Sequence, residues 1–169
     1  NMVTKVKFMY ENLPSWLKID APENNKLTLR LSNGSQIKAT SASSDAGRSE
    51  AVSLLLIDEA AFIDNIGEIW ASAQQTLATG GGCIALSTPY GTGNWFHQTW
   101  VRAENAENDF LPIKLPWYVH PERDQTWRDR QDELLGDPRM AAQECDCDFS
   151  TSGDTVFYAE YLEFYEQTY

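Results

Sequence analysis

The sequence predicts an α/β fold, because two short apolar strands are separated by one amphipathic helix. The apolar runs are residues 54–57 (LLLI) and 83–87 (CIALS). Between them, Ile66, Ile69 and Leu77 fall on one helical face. A strand–helix–strand order predicts parallel pairing with a right-handed crossover. Since neither run alternates with polar residues, we expect a mainly parallel sheet flanked by helices, with these strands covered on both faces.

A helix and a β-hairpin are predicted before the first of these strands. Residues 3–13 carry apolar residues at helical spacing, and Pro14 ends that pattern. Residues 26–31 (KLTLRL) alternate, Asn33-Gly34 supplies a tight turn, and residues 36–42 continue in extended form. The fold prediction therefore includes a hairpin ahead of strand 54–57.

Three helices and two further strands are predicted after residue 90. Asn94 can cap a helix, Asp124 can cap a second, and Asp137 followed by a proline can begin a third. Residues 110–117 (FLPIKLPW) are expected to form an edge or irregular strand, because proline cannot donate to a sheet ladder. Residues 145–149 (CDCDF) are expected to form the last strand.

Composition and charge exclude several classes of function. The chain has 169 residues, of which 42% are apolar, enough for one domain with a core. Its net charge of −12 argues against this segment binding DNA by itself, because binding of duplex DNA depends on basic residues that contact the phosphates. No apolar run approaches the roughly 20 residues of a membrane span, and no secretory signal opens the chain. An Asn at position 1 suggests a fragment of a longer protein.

The cysteines predict neither disulfides nor a zinc site. There are three, which is an odd and small number and fits a reducing cytosol. Cys145 and Cys147 are separated by one residue, and the two histidines are far from them in sequence.

Two adjacent acids, Asp58 and Glu59, follow the first apolar strand. An apolar strand ending in Asp-Glu is the Walker B pattern of nucleotide triphosphatases. Ligands bind at the carboxyl edge of such sheets, where an aspartate can hold the Mg²⁺ that bridges nucleotide phosphates. The next residue points to the other side of the strand and can orient the attacking water. The alternative is a strand that reaches the surface and becomes acidic there.

Neighbouring residues strengthen the nucleotide interpretation. The second apolar strand ends in Ser87, Thr88 and Pro89, whose hydroxyl groups would reach the same sheet edge and could sense a γ-phosphate. Arg48 precedes the acidic strand, and an arginine near a γ-phosphate stabilises charge in the transition state. Taken alone, Ser-Thr-Pro is equally typical of a turn, and a lone arginine is usually solvated.

No phosphate-binding loop is present in the chain. Residues 42–49 (ASSDAGRS) superficially match G-x-x-x-x-G-K-[ST], but only five residues separate Arg48 from strand 54–57 and no helix fits there. The chain also contains no Gly-Lys dipeptide. We therefore expect the cofactor-binding Walker A residues to be absent and the chain alone to be inactive as an ATPase.

These motifs resemble the large terminase subunit of tailed bacteriophages. The most distinctive part is residues 31–63, with the pattern LxNGSxIxAxxAS…R…S…IDEAAFI. It is followed by ALSTP at 85–89, by G-x-x-x-x-F at 91–96 and by QECDCDFSTSGDTVF at 143–157. The resemblance covers nearly the whole chain.

The resemblance implies a partial P-loop NTPase fold of the ASCE (RecA-like) type. It implies that residues 1–152 are the C-terminal part of an ATPase motor domain and that residues 153–169 are a linker or the start of a nuclease domain. Asp58 would be the Walker B aspartate that holds Mg²⁺ through water, and Glu59 the catalytic glutamate. Ser87, Thr88 and Pro89 would form the coupling motif, and Arg48 would act as a finger, in trans, on a neighbouring subunit.

The resemblance also implies cofactors and partners. ATP and Mg²⁺ would power a motor that translocates viral double-stranded DNA into a prohead, and a separate nuclease domain would cut the DNA concatemer. The subunits would form a ring, usually a pentamer, on the portal protein and would work with the small terminase subunit in the cytoplasm of the bacterial host. Two alternatives stay open from the sequence: a helicase-type translocase fragment, and a non-catalytic assembly module with a degenerate NTPase fold.

Overall fold

The computed structural model describes residues 2–42, 52–78 and 80–150 of the chain. Their elements form two sheets and five α-helices, in the order α1 (Met2–Glu11), β1 (Glu23–Asn24), β2 (Thr28–Arg30), β3 (Gln36–Lys38), β4 (Leu54–Ile57), α2 (Ile66–Leu77), β5 (Gly82–Ala85), α3 (Trp95–Glu104), α4 (Gln125–Leu135) and α5 (Pro138–Ala141). The predicted linker at 153–169 lies outside this part of the chain. No helix in the described ranges is long and apolar enough to cross a membrane.

The first sheet is antiparallel and contains the predicted hairpin. β2 pairs with β3 in a register that places Leu29 opposite Ile37, and β1 pairs with the other edge of β2. The connection is a five-residue loop, closed by the Leu31 N–H donating to the Ser35 carbonyl at 2.8 Å. Gly34 adopts φ 89°, which glycine accepts without steric cost. The hairpin prediction is confirmed, with a longer loop than Asn-Gly alone suggests.

The second sheet is a parallel pair that confirms the predicted crossover unit. β4 lies beside β5 in a register running from Leu54 opposite Gly82 to Ile57 opposite Ala85. Helix α2 connects the two strands and packs on one sheet face. The buried core there consists of Ile57, Ala60, Ile66 and Ile69. Gly81 lies where the chain enters β5, and an added Cβ would stand 2.3 Å from the Val52 carbonyl oxygen, so a side chain would not fit.

The other face of the parallel pair is open, which corrects the expectation that both faces are covered. Within the described part of the chain, the side chains on that face are only half-buried. Four aliphatic side chains are accordingly 42–54% exposed: Leu54, Leu56, Ile84 and Leu86. The expectation of a parallel sheet holds in part for the described residues, because β4 and β5 form a small parallel sheet and the hairpin strands form a separate antiparallel one.

The helices after residue 90 begin where their capping residues predict. Asn94 Oδ1 accepts from the His97 N–H at 3.0 Å at the start of α3. Asp124 Oδ1 accepts from the Trp127 N–H at 2.8 Å at the start of α4. Asp137 Oδ1 accepts from the Arg139 N–H at 2.9 Å at the start of α5. Each cap satisfies an amide that the helix itself leaves unpaired.

Two predicted strands do not form. Residues 110–117 contain no strand and lead into a 3-10 turn at Trp117–Val119, because their two prolines lack the N–H groups that a ladder requires. Residues 145–149 were expected to be extended. Instead α5 continues into a π-helical turn, Ala142–Asp146, which ends at Cys147 with φ 56°. Helical propagation through consecutive alanines therefore outweighs the alternation of CDCDF.

Candidate functional site

The acid pair stands at the carboxyl end of β4, where the sequence predicted it. Asp58 and Glu59 are both exposed. Within residues 2–42, 52–78 and 80–150, neither carboxylate takes part in a hydrogen bond or an ion pair. Exposed carboxylates without a protein partner remain available for a cation or a water molecule.

Glu59 has an unusual backbone conformation. Its φ of 54° and ψ of 42° lie in the left-handed region, which costs an L-residue about 1–2 kcal/mol. Glu59 leads directly into a 3-10 turn, Ala60–Phe62, whose first residue is 0% exposed. Such conformations persist where the surrounding structure fixes them, and they cluster at functional sites. The segment Asp58–Phe62 is called the acid loop below.

Hydrogen bonds tie the acid loop to the end of β5. The Leu86 N–H donates to the Ile57 carbonyl at 2.9 Å, and the Ala60 N–H donates to the Leu86 carbonyl at 3.1 Å. The Ala61 N–H donates to Ser87 Oγ at 3.1 Å. The structure thus brings the acid pair and the Ser87–Thr88–Pro89 segment together at one sheet edge, as the strand pattern predicted.

The residues after Ser87 make contacts that the sequence did not indicate. Thr88 Oγ1 donates to the Glu144 carboxylate at 3.4 Å, across 56 positions of sequence. Pro89 is among the most deeply buried side chains. The Tyr90 ring lies 4.6 Å from that of Phe62, centroid to centroid, so an aromatic contact also joins the acid loop to this segment.

Asn94 links this segment to helix α3. Its Nδ2 donates to the Tyr90 carbonyl at 2.7 Å, while its Oδ1 caps the helix. The Gly93 N–H donates to His97 Nδ1 at 3.2 Å, which gives that histidine a structural role. Asn94 was identified from the sequence as a cap, but its second role depends on how the loop folds back, which residue type alone does not reveal.

Not every residue of the predicted site can be compared with the structure. Arg48 lies outside the described residues. Among the residues that are described, no group of three or more His, Cys, Asp or Glu side chains forms a metal cluster. The donor set of Asp58 and Glu59 nevertheless fits Mg²⁺, which protein sites commonly bind through one or two carboxylates while water and substrate phosphates complete the octahedron.

The cysteines are free thiols, as predicted. Burial raises the pKa of the Cys83 thiol to about 11. Burial also raises the pKa values of the Cys145 and Cys147 thiols. All three thiols are therefore protonated near neutral pH and are weak nucleophiles.

The fold and the candidate site together indicate the class of protein to which this chain belongs. The chain is a mixed α/β protein with a small parallel sheet, helices, and an acid pair at the sheet's carboxyl edge, an architecture compatible with part of an NTPase-like domain. Residues 1–164 match the family model for the terminase large subunit, T4likevirus-type, N-terminal. The chain belongs to this family of phage large terminase subunits, and membership implies a role in phage DNA packaging.

Proposed function

We propose that this chain supplies the magnesium- and water-handling edge of an ATP-hydrolysing motor that translocates viral double-stranded DNA into a prohead. The observation that carries the proposal is the acid loop itself. Two exposed carboxylates follow a parallel strand, the second has a left-handed backbone, and the loop is bonded to Ser87 on the neighbouring strand. Non-glycine residues with a left-handed backbone cluster at functional sites, which supports this interpretation over a merely acidic surface turn.

The two acids take different roles. Asp58 would hold Mg²⁺ through water, since it directly follows the apolar strand and has an exposed carboxylate. Glu59 would orient the attacking water. Its left-handed backbone ends the extended conformation of the strand at this residue, and its carboxylate is exposed. When bound, the Mg²⁺ would neutralise charge on the transferring phosphate.

Ser87, Thr88 and Pro89 would transmit the state of the nucleotide. Ser87 contacts the acid loop, Thr88 contacts a segment near residue 144, and the Pro89 side chain is buried. A change at the acid loop would therefore reach other elements through this segment. Arg48 would stabilise transition-state charge on the nucleotide of a neighbouring subunit.

Other parts of the motor would come from outside these residues. Since the chain has no Gly-Lys dipeptide, a phosphate cradle would be supplied by further polypeptide, and the chain alone would be inactive. The open aliphatic face of β4 and β5 supports this, because apolar sheet faces are normally covered. The full-length protein would also cut the DNA concatemer. It would act as a ring on the portal, with the small terminase subunit, in the host cytoplasm.

The test is Glu59→Gln in the full-length protein. We expect ATP turnover to fall by at least about a hundredfold, the low end for general-base catalysis, while nucleotide binding persists. Glu104→Gln, an exposed glutamate in the last turn of α3, is the matched control and should leave turnover unchanged. If Glu59→Gln packages DNA and hydrolyses ATP at the wild-type rate, the chain is a non-catalytic assembly module instead.

A further inference from the structure

One polar contact joins the proposed nucleotide-sensing segment to the C-terminal part of the described chain. Thr88 Oγ1 donates to Glu144 Oε1 at 3.4 Å. The Thr88 side chain is half-buried and Glu144 is exposed, so solvent and ligand can reach the pair. A threonine hydroxyl carries a single proton and can donate only one strong hydrogen bond at a time.

Glu144 belongs to a turn that is anchored to another helix. It lies in the π-helical turn Ala142–Asp146, and Gln143 Nε2 donates to its carboxylate at 2.9 Å. Two residues later, Asp146 accepts from Arg128 of α4, with Nε at 3.2 Å and Nη2 at 2.9 Å. Arg128 is only 9% exposed and also pairs with Asp132 within α4. The position of Glu144 is therefore tied to α4.

A second contact holds the same segment by apolar packing. The Phe149 ring lies 6.1 Å from the rings of both Phe96 and Trp100, on helix α3. This packing does not depend on any proton. In this segment the contact of Glu144 with Thr88 can be exchanged, whereas the Asp146–Arg128 bonds and the packing of Phe149 do not involve the Thr88 hydroxyl.

We propose that Glu144 is a positioning residue, which holds the Thr88 hydroxyl away from nucleotide until phosphate oxygens compete for its proton. The inference rests on the proposed function, because it assumes that Thr88 senses nucleotide. A carboxylate and a phosphate are both anionic acceptors, so each can accept the same hydroxyl proton, and the 3.4 Å separation from Glu144 makes the resting contact a weak one that phosphate can replace. Binding of ATP would release Glu144, and the turn anchored to α4 would lose its link to β5.

The inference predicts the sign of an affinity change. Without Glu144, Thr88 would have no resting partner to give up, and nucleotide would bind more tightly. We expect Glu144→Ala to lower the Kd for a non-hydrolysable ATP analogue with Mg²⁺ about fivefold, the equivalent of one net hydrogen bond of about 1 kcal/mol. Glu144→Gln keeps an acceptor oxygen and should lower the Kd less.

The experiment is a double-mutant cycle in the full-length protein. Thr88→Val, Glu144→Ala and the double variant are titrated with the analogue, and Glu133→Ala, an exposed glutamate of α4, is the matched control. In a Thr88→Val background, Glu144→Ala should change nothing, because the contested proton is gone. If Glu144 had a merely structural role, Glu144→Ala would change the Kd by the same factor in the Thr88→Val background as in wild type.

The outcomes separate the two proposals. If wild type binds the analogue but the effects of the two substitutions multiply, or Glu144→Ala leaves the Kd unchanged, the role assigned to Glu144 is wrong and the proposed function stands. If wild type neither binds the analogue nor hydrolyses ATP, the proposed function fails, and the inference that rests on it fails too.

Discussion

The Ala61 amide donates to the hydroxyl oxygen of Ser87 at 3.1 Å, and this bond joins the ends of two neighbouring parallel strands. Ala61 is only 8% exposed, so water cannot readily replace the acceptor. The bond therefore holds the acid loop in register with the segment that begins at Ser87. It also explains why a serine stands at the first position after the apolar run.

Ser87→Ala should destabilise the protein by about 1–3 kcal/mol, because it leaves a buried amide without an acceptor. The shift in the urea midpoint measures this, with an unchanged slope indicating that the folded state is otherwise intact. Ser87→Thr retains the oxygen and should recover part of the loss. Ser53→Ala, at an exposed serine just before β4, is the control and should stay within about 0.5 kcal/mol of wild type. Equal stability of the Ser87 and Ser53 variants would contradict the assignment.

The left-handed backbone of Glu59 predicts a trade between stability and activity. Glycine adopts φ 54° without strain, so Glu59→Gly should raise the free energy of unfolding by up to about 1 kcal/mol and abolish turnover in the full-length protein. Glu59→Ala removes the carboxylate but keeps the Cβ, so it should abolish turnover without that gain. Thermal denaturation compares the two variants. A Glu59→Gly variant less stable than Glu59→Ala would show that the backbone is not strained.

Local sequence signals predicted the elements that local forces create. The parallel strand pair, the hairpin and the three caps follow from apolar runs, turn residues and Asn or Asp at helix starts. They also predicted that Ser87 would lie at the same sheet edge as Asp58 and Glu59, since adjacent parallel strands end at one edge. The left-handed Glu59 carries no such signal, because glutamate rarely adopts positive φ. The Thr88–Glu144 contact carries none either, because 56 positions separate its partners.

The buried Arg128 predicts a stability difference between two arginines of one helix. Arg128 is 9% exposed and bonds to Asp146 and Asp132, and its hydrogen bonds to Asp146 raise the pKa of its guanidinium above the usual value. Arg128→Met should lower the free energy of unfolding by about 1–3 kcal/mol, since two carboxylates lose their cation while remaining partly solvated. Arg130→Met, on the exposed side of α4, should have an effect of less than about 0.5 kcal/mol.

Urea denaturation of the two arginine variants gives the comparison directly. Asp146→Asn provides a further control, because it weakens the same pair without opening a space in the packing. If Arg128→Met and Arg130→Met have the same midpoint, the contacts of Arg128 do not hold the π-helical turn to α4. The anchoring of Glu144 would then need another explanation.

The open face of the parallel pair predicts opposite behaviour for neighbouring residues of β4. Ile57 is 6% exposed, and truncating it to alanine should cost about 2–4 kcal/mol because a cavity remains in the core. Leu56 is 46% exposed on the other face, so Leu56→Lys in this chain should change the free energy of unfolding by less than about 0.5 kcal/mol. Both variants are compared with wild type by urea denaturation.

The same Leu56→Lys substitution tests whether further polypeptide covers the sheet face on which Leu56 lies. If a phosphate-cradle segment packs there in the full-length protein, a lysine would be buried without a partner, and the cost should rise to several kcal/mol. The pair of measurements, in this chain and in the full-length protein, isolates the covering segment because the substitution is identical in both. A small effect in both would mean that the aliphatic face of β4 and β5 stays exposed, and the cradle would have to pack elsewhere.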